Sequence, residues 1–392
     1  MKQLKRKLWG VLLCFLYLPA LHAQQADSIL TSYVHFLNRQ QNSAKDYVLG
    51  LFDKYDVVVL CERDHREWTQ YDLILDILAD KRFTRKVGNL YTEIGNVHHN
   101  DELNAFLHNG HLTQADVDTK VMSLHRDAYG ASMWEKANYS YLLKGIHRIN
   151  QSLPKEWKVN LFNLDLGIKD WKTATVNEIC LRDSLMAQRD SILSDNFFRI
   201  YQRQGGGKAL VIMNFRHAFL KDVFGRVNFG RFLAEAYPGK VANVFVSSFA
   251  LVNDSDSPMR AIADGRWDAS FKKSGKLDVG FDMAGSPFGS TPFDLIPIVN
   301  TFTYEEYFTG MVYYGYFPDY RVVSGMEGFV DEAFLPELMR RYELDRKAQG
   351  SKDLPTPEEL MKYYNTVTDV RYQEDPVMRI AVEQIRSFES KH

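Results

Sequence analysis

Cysteine is scarce in this sequence, which limits how the fold can be held together. Only three cysteines occur among 392 residues, and Cys14 lies in the apolar stretch near the N-terminus. The two others, Cys61 and Cys180, are too few for a disulfide framework. Cys61 ends an apolar run and Cys180 lies in a helical pattern, so we predict two buried thiols rather than a disulfide bond.

Several motifs that identify an enzyme class directly are also missing. The sequence contains no G-x-S-x-G elbow, no phosphate-binding loop and no G-x-G-x-x-G after a predicted strand. Acyl transfer through an activated serine and the use of a nucleotide are therefore disfavoured. H-E-x-x-H does not occur either, so residue spacing alone does not require a metal ion.

Long apolar runs are confined to the N-terminus. There, Lys2, Lys5, Arg6 and Lys7 precede an apolar stretch from Leu8 to Leu18 and a small-residue segment that ends at Ala23. This order is typical of a secretory signal peptide over residues 1–23, so we expect a periplasmic or secreted protein. No later segment offers the roughly 18 uninterrupted apolar residues that a membrane span requires.

Charge of one sign does not dominate. Lys and Arg total 48, Asp and Glu total 50, and the formal net charge of −2 would become −6 after cleavage at Ala23. A mildly acidic chain of mixed charge argues against nucleic acid or an anionic membrane as the main partner. A small-molecule substrate is the expected partner, and the oligomeric state stays open.

Apolar runs alternate with helical patterns along the chain. The run at 57–60 is followed by Tyr71, Ile74, Leu75 and Leu78, an i, i+3, i+4, i+7 stripe that predicts an amphipathic helix. Further strands are expected at 87–91, 159–164, 209–213, 241–251 and 293–299. This alternation predicts an α/β fold in which helices sandwich a mainly parallel central sheet.

The lengths between strands predict how the domain is built. Residues 24–392 are expected to form a single domain. Helical patterns at about 96–150 fill a segment too long for a simple crossover, which predicts a helical insertion that forms a lid over the carboxyl ends of the strands. A helical extension is expected at about 300–392.

Acidic, basic and histidine side chains stand at the ends of four predicted strands. In an open parallel sheet, ligands bind in the crevice outside the carboxyl ends of the strands, so these side chains should meet at one edge. The chain is therefore predicted to be an enzyme. The candidate residues are Glu62, His65, Glu93, Asp165, Arg216 and His217.

Their types indicate proton transfer. His65 follows Glu62 by three residues, and a carboxylate on one ring nitrogen fixes the tautomer of an imidazole that accepts a proton near neutral pH. Glu93 needs a partner if it is buried, and His65 is one candidate. Arg216 could hold an anionic or carbonyl group of a substrate. The alternative is structural: strand-end glutamates paired with arginines, and histidines on the surface.

A metal site is a second interpretation of the same residues. Two carboxylates and two histidines suit zinc or manganese. The candidate ligands are Glu62, His65, Glu93 and His217.

These segments resemble the superfamily that joins erythromycin esterases, the haem-binding lipoprotein ChaN and the Tiki/TraB proteins, with the esterase branch closest. The likeness covers roughly residues 55 to 300. Its motifs are Cys61-Glu62-Arg63-Asp64-His65, Tyr91-Thr92-Glu93, Arg182-Asp183-Ser184-Leu185-Met186-Ala187 and Asn214-Phe215-Arg216-His217.

The resemblance implies metal-independent ester hydrolysis without a cofactor. His65 would be the base that activates water, Glu62 and Glu93 would orient it, and His217 would assist at the developing oxyanion. Arg182 and Asp165 would organise the floor of the cleft. The other branches imply a metal-dependent peptidase or hydrolase, or a haem-binding or ligand-binding protein, and an inactive member of the superfamily is also open.

Overall fold

Seven strands form the central sheet of the computed structural model, which describes residues 30–129, 136–222, 225, 227–254, 258–297 and 302–392. The predicted signal peptide lies outside these residues. With the four strands that lie outside this sheet, the strands of the described residues are β1 (Val57–Glu62), β2 (Asn89–Thr92), β3 (Asn160–Asn163), β4 (Ala209–Asn214), β5 (Val241–Val246), β6 (Phe249–Leu251), β7 (Met259–Ala261), β8 (Asp278–Asp282), β9 (Gly310–Tyr314), β10 (Arg321–Ser324) and β11 (Thr368–Arg371).

The sheet order is β3-β2-β4-β1-β5-β9-β8. Its first six strands are parallel, and β8 pairs antiparallel with β9. The strand pairs β6-β7 and β10-β11 form two separate antiparallel ribbons. The predicted α/β fold with a mainly parallel sheet is thus confirmed.

Helices cover both faces of the sheet. They are α1 (30–38), α2 (Ala44–Leu51), α3 (Thr69–Ala79), α4 (Lys81–Lys86), α5 (Asn100–His108), α6 (Gln114–Asp127), α7 (Lys136–Gln151), α8 (Val176–Leu185), α9 (Arg189–Arg203), α10 (Phe215–Ala218), α11 (Phe229–Ala236), α12 (Arg266–Ser274), α13 (Tyr304–Tyr307), α14 (Leu335–Ala348), α15 (Pro357–Asn365) and α16 (Arg379–Lys391). In the described part of the chain, none is long and apolar enough to cross a membrane.

The central strand β1 explains why two helical layers are needed. All six of its residues are buried, and its side chains alternate between two apolar cores. Val59 and Cys61 pack into the core that α9 and α12 cover, whereas Val58 and Leu60 pack into the core of α3 and α7. A strand buried on both faces is typical of a parallel sheet.

The helices inserted between β2 and β3 pack mainly on one face of the sheet. Residues of α5, α6 and α7 share an apolar core with β1 and β2. The start of α7 reaches the edge where β1 ends, because the Asn138 side-chain amide donates to the backbone oxygen of His65 at 2.8 Å. The insertion thus touches the predicted site through the first turns of this helix.

The last strands of the sheet are not where the sequence predicts them. Residues 293–297 of the predicted strand are irregular, and β8 and β9 complete the sheet instead. A Cβ atom at Gly280 in β8 or at Gly310 in β9 would overlap the side chain of Tyr47. The glycines that allow this helix-to-strand contact also weaken the strand pattern in the sequence.

Both cysteines in the described chain are free. Cys61 is buried, as predicted, but Cys180 is exposed, so that prediction is wrong for Cys180. The reason is that α8 lies on the surface and buries only Ile179.

Candidate active site

Two buried carboxylates mark the carboxyl edge of the sheet. Glu62 is the last residue of β1 and Glu93 follows β2 directly, and β4 lies between these strands. Both glutamates are buried. The backbone N–H of Asn214, at the end of β4, donates to Glu93 Oε1 at 3.0 Å. The strand order therefore brings the two carboxylates to the same stretch of the edge.

His65 lies against the first of these carboxylates. Its Nδ1 atom is 3.0 Å from Glu62 Oε2, and its side chain is 46% exposed while that of Glu62 is fully buried. The side-chain amide of Gln70 donates to the other oxygen of Glu62 at 3.4 Å. Because Nδ1 faces Glu62, Nε2 is the ring nitrogen left for a water molecule or a substrate.

Burial and mutual charge shift the pKa values of this pair. Burial raises the pKa of Glu62 to about 7, although the charge and hydrogen bond of His65 oppose the rise. Burial lowers the pKa of His65, but the charge and hydrogen bond of Glu62, followed by the charge of Glu93, outweigh it and raise the pKa to about 9. Between these values the pair is an imidazolium beside a carboxylate.

A single arginine ties the remaining site residues together. Arg189 Nε donates to Asp165 Oδ2 at 3.1 Å, one terminal nitrogen donates to the backbone oxygen of Glu93 at 2.9 Å, and the other donates to His217 Nε2 at 2.8 Å. A guanidinium only donates, so His217 Nε2 must accept. The ring proton is then on Nδ1, which donates to Asp190 Oδ1 at 2.8 Å.

These contacts join most of the predicted residues into one cluster. The donor atoms of Glu62, His65 and Glu93 lie within 4.8 Å of one another. Glu93 Oε2 is also 3.4 Å from His217 Nε2, so one carboxylate lies between the two histidines. Asp165 joins the cluster through Arg189.

Arg182 is not in this cluster. It lies on the surface helix α8, where it pairs with Asp183 at 2.7 Å and with Asp345 at 3.1 Å. The sequence contains Arg-Asp-Ser twice, at 182–184 and at 189–191, and the second copy supplies the site. Sequence reasoning therefore missed Arg189 and Asp190, although the repeat seven residues later was a signal for them.

Arg216 is exposed and faces a cavity beside His217. The cavity has a volume of about 640 Å³, and Asp190 and Asn228 add polar groups to its wall. A space of this size accommodates a small organic molecule. The apolar part of its described lining consists of Phe219, Val227, Leu251, Val252, Pro258, Met259, Ile296 and Pro297.

Three of the four predicted metal ligands have a suitable arrangement. Glu62, His65 and Glu93 each offer one donor atom within the 4.8 Å cluster, which is close enough for a shared divalent ion. His217 differs, because its Nε2 accepts from Arg189 and its Nδ1 donates to Asp190.

The sequence matches no known protein family and no curated protein. Solved structures give matches at low identity. The fold is similar to that of a succinoglycan biosynthesis protein, with 11% identity and a TM-score of 0.44 over 74% of this chain and 96% of that one. A Bacillus cereus protein has 12% identity and a TM-score of 0.45, over 73% of this chain and 97% of that one.

An erythromycin esterase mutant, EreC in its open conformation, has 13% identity and a TM-score of 0.45 over 71% of this chain and 95% of that one. At these identities the likeness concerns the fold alone.

Proposed function

We propose that this protein is a hydrolase that cleaves an ester or related bond of a small molecule with a water molecule activated by His65. The observation that carries the proposal is the half-exposed imidazole held on a buried carboxylate, with a second buried carboxylate within 4.8 Å. A histidine oriented in this way is suited to general base catalysis.

In the proposed reaction, Nε2 of neutral His65 takes a proton from water while the water oxygen attacks the carbonyl carbon. Glu62 stabilises the imidazolium that forms, because its carboxylate contacts Nδ1 at 3.0 Å. The imidazolium then gives its proton to the leaving alcohol as the tetrahedral intermediate collapses. Glu93, fixed by Asn214 and Arg189, adds a second negative charge that favours the imidazolium.

The role of His217 is better described as positioning than as oxyanion binding. Both its ring nitrogens already make hydrogen bonds, to Arg189 and to Asp190, so no ring N–H points to a substrate. Arg216 is the cationic side chain in the described lining of the adjacent cavity. We therefore assign to Arg216 the binding of an anionic or carbonyl group of the substrate.

A panel of esters, lactones and peptides tests this function, and the cavity predicts which esters are preferred. We expect octanoyl esters to be cleaved faster than acetyl esters, because the cavity wall is mostly apolar. Val252→Trp should fill the cavity, lowering kcat/KM about tenfold for p-nitrophenyl octanoate but little for p-nitrophenyl acetate.

A matched control is Val367→Trp, which adds the same side chain at an exposed position away from the cavity lining. This variant should behave like the wild type with both esters. Equal losses for acetate and octanoate in Val252→Trp would show that the cavity does not hold the acyl chain. The absence of cleavage of any compound by the wild type would contradict the hydrolase proposal itself.

A metal-dependent hydrolase is the second candidate, favoured by the clustering of Glu62, His65 and Glu93. Under the leading proposal, dialysis against a chelator leaves ester hydrolysis unchanged. Loss of activity on dialysis, with recovery on addition of zinc or manganese, would favour the second candidate. Elemental analysis should then find stoichiometric metal in the wild type and none in Glu93→Ala. Haem binding and the secreted or periplasmic location stay predictions.

A further inference from the structure

A buried ion pair follows directly after Glu62. Arg63 and Glu67 are 3.0 Å apart, and both side chains are fully buried. Arg63 also donates to the backbone oxygen of Tyr314 at 3.0 Å, and its guanidinium lies 3.9 Å from the centre of the Tyr320 ring. Burying two charges is costly unless good geometry and further hydrogen bonds compensate, and the contacts of Arg63 with Glu67 and Tyr314 provide part of this compensation.

The pair lies where the chain after β1 meets the ribbon β10-β11. Trp68 N–H donates to the Arg321 oxygen at 2.7 Å, and Val323 N–H donates to the Arg66 oxygen at 3.0 Å. Between these bonds, Glu67 pairs antiparallel with Val322. The segment 66–68 therefore joins the edge of the ribbon through one antiparallel bridge and two flanking hydrogen bonds.

Gln70 connects this arrangement to the site. Its side-chain oxygen accepts the Arg63 backbone N–H at 2.9 Å, and its amide nitrogen donates to Glu62 Oε1 at 3.4 Å and to the Asp64 backbone oxygen at 3.0 Å. Glu67 in turn accepts the Gln70 backbone N–H at 2.9 Å. The residues on both sides of His65 are thus fixed by one network.

We propose that Arg63 is a positioning residue which, with Glu67 and the ribbon β10-β11, fixes the loop that presents His65 to Glu62. The C-terminal part of the chain then completes the active site, although it supplies no group to the reaction. The effect on rate rests on the proposed function. The contact between His65 and Glu62 can be measured without any substrate.

Two variants test the proposal, both studied in the full-length protein after dialysis against a chelator. Arg63→Lys keeps the charge but loses the fork that reaches both Glu67 and Tyr314. Arg63→Met combined with Glu67→Met removes both charges, so no unpaired charge stays buried. We expect kcat/KM for ester hydrolysis to fall on the order of 100-fold in each, with a smaller change in KM.

The distinguishing measurement is the NMR signal of the His65 Nδ1 proton, which the 3.0 Å contact with Glu62 Oε2 holds in a hydrogen bond; it is recorded with nitrogen-labelled histidine and assigned with His65→Gln. The signal should weaken and move toward that of a solvent-exposed imidazole in both variants as the contact with Glu62 loosens. A role in stability alone would lower the melting temperature and leave this signal unchanged. Tyr320→Leu removes the ring that contacts the Arg63 guanidinium without removing a charge, and it can be measured in the same way if either variant fails to fold.

Arg371→Ala is the control, because it breaks an exposed pair with Asp319 on the same ribbon. Its His65 Nδ1 proton signal and its activity should equal those of the wild type. Folded Arg63 variants with an unchanged His65 Nδ1 proton signal would overturn the proposal. A changed signal in a protein that cleaves no ester would support the positioning role and contradict the hydrolase function, so the two failures are distinguishable.

Discussion

Truncation of His65 to alanine is expected to lower kcat/KM for ester hydrolysis by about three orders of magnitude while the protein stays folded. The rate falls because the imidazole is the proposed acceptor of the proton from water. The fold survives because the side chain is 46% exposed, and its loss removes the charge and hydrogen bond that lower the pKa of Glu62, which then binds a proton more readily. Initial rates and thermal unfolding of both proteins provide the measurement.

His99→Ala is a matched control for this experiment. His99 and Glu102 form another histidine–glutamate pair three residues apart, at 3.5 Å, but Glu102 is substantially exposed. This variant should retain the activity of the wild type. If His65→Ala hydrolyses esters at the rate of His99→Ala, His65 is not the base and the proposed mechanism is lost.

The sequence predicts the edge of the sheet well, because each parallel strand combines an apolar run with a polar residue at its end. A strand that is buried on both faces must be apolar along its length, so polar residues are tolerated where the strand ends. Glu62, Glu93 and His217 follow this rule, and the strand order β2-β4-β1 places them side by side. Their mutual contacts depend on that strand order, which the apolar runs alone do not determine.

The choice between the two Arg-Asp-Ser segments depends on packing that the local sequence does not contain. Helix α8 buries only Ile179, whereas α9 buries Leu193, Phe197 and Ile200 against the sheet. The chain changes direction through a 3-10 turn at Met186–Gln188, so α9 begins at Arg189 beside the strand ends. Only the helix that packs on the sheet can direct its first residues into the site.

Contacts between distant segments account for the remaining differences. The ribbon β10-β11 pairs residues 321–324 with residues 368–371, and the strands are too short for a clear alternating pattern. The sequence around Arg63 does not indicate burial, since an arginine beside a glutamate and two further charged residues is usually exposed to solvent. Its burial depends on Tyr314 and Tyr320, which lie about 250 residues further along the chain.

Glu62→Gln is expected to move the pH dependence of hydrolysis. In the wild type, neutral His65 is the base and its pKa is about 9, so kcat/KM should rise with pH and level off only above this value. The carboxylate of Glu62 raises that pKa, so its removal lowers it. The rising limb should therefore shift to lower pH by more than about one unit, in line with the loss of a contacting charge.

The same substitution should lower the plateau at high pH by about 100-fold, because the imidazolium formed in the reaction loses its carboxylate partner.

The pair of His65 and Glu62 also affects stability. The raised pKa of His65 stabilises the folded protein fully below pH 6.5, and this contribution is lost as the pH rises through about 9. Glu102→Gln should change neither the rising limb nor the plateau. An unchanged limb in Glu62→Gln would assign the titration to a group other than His65, because the substitution removes the carboxylate that contacts the His65 ring at 3.0 Å.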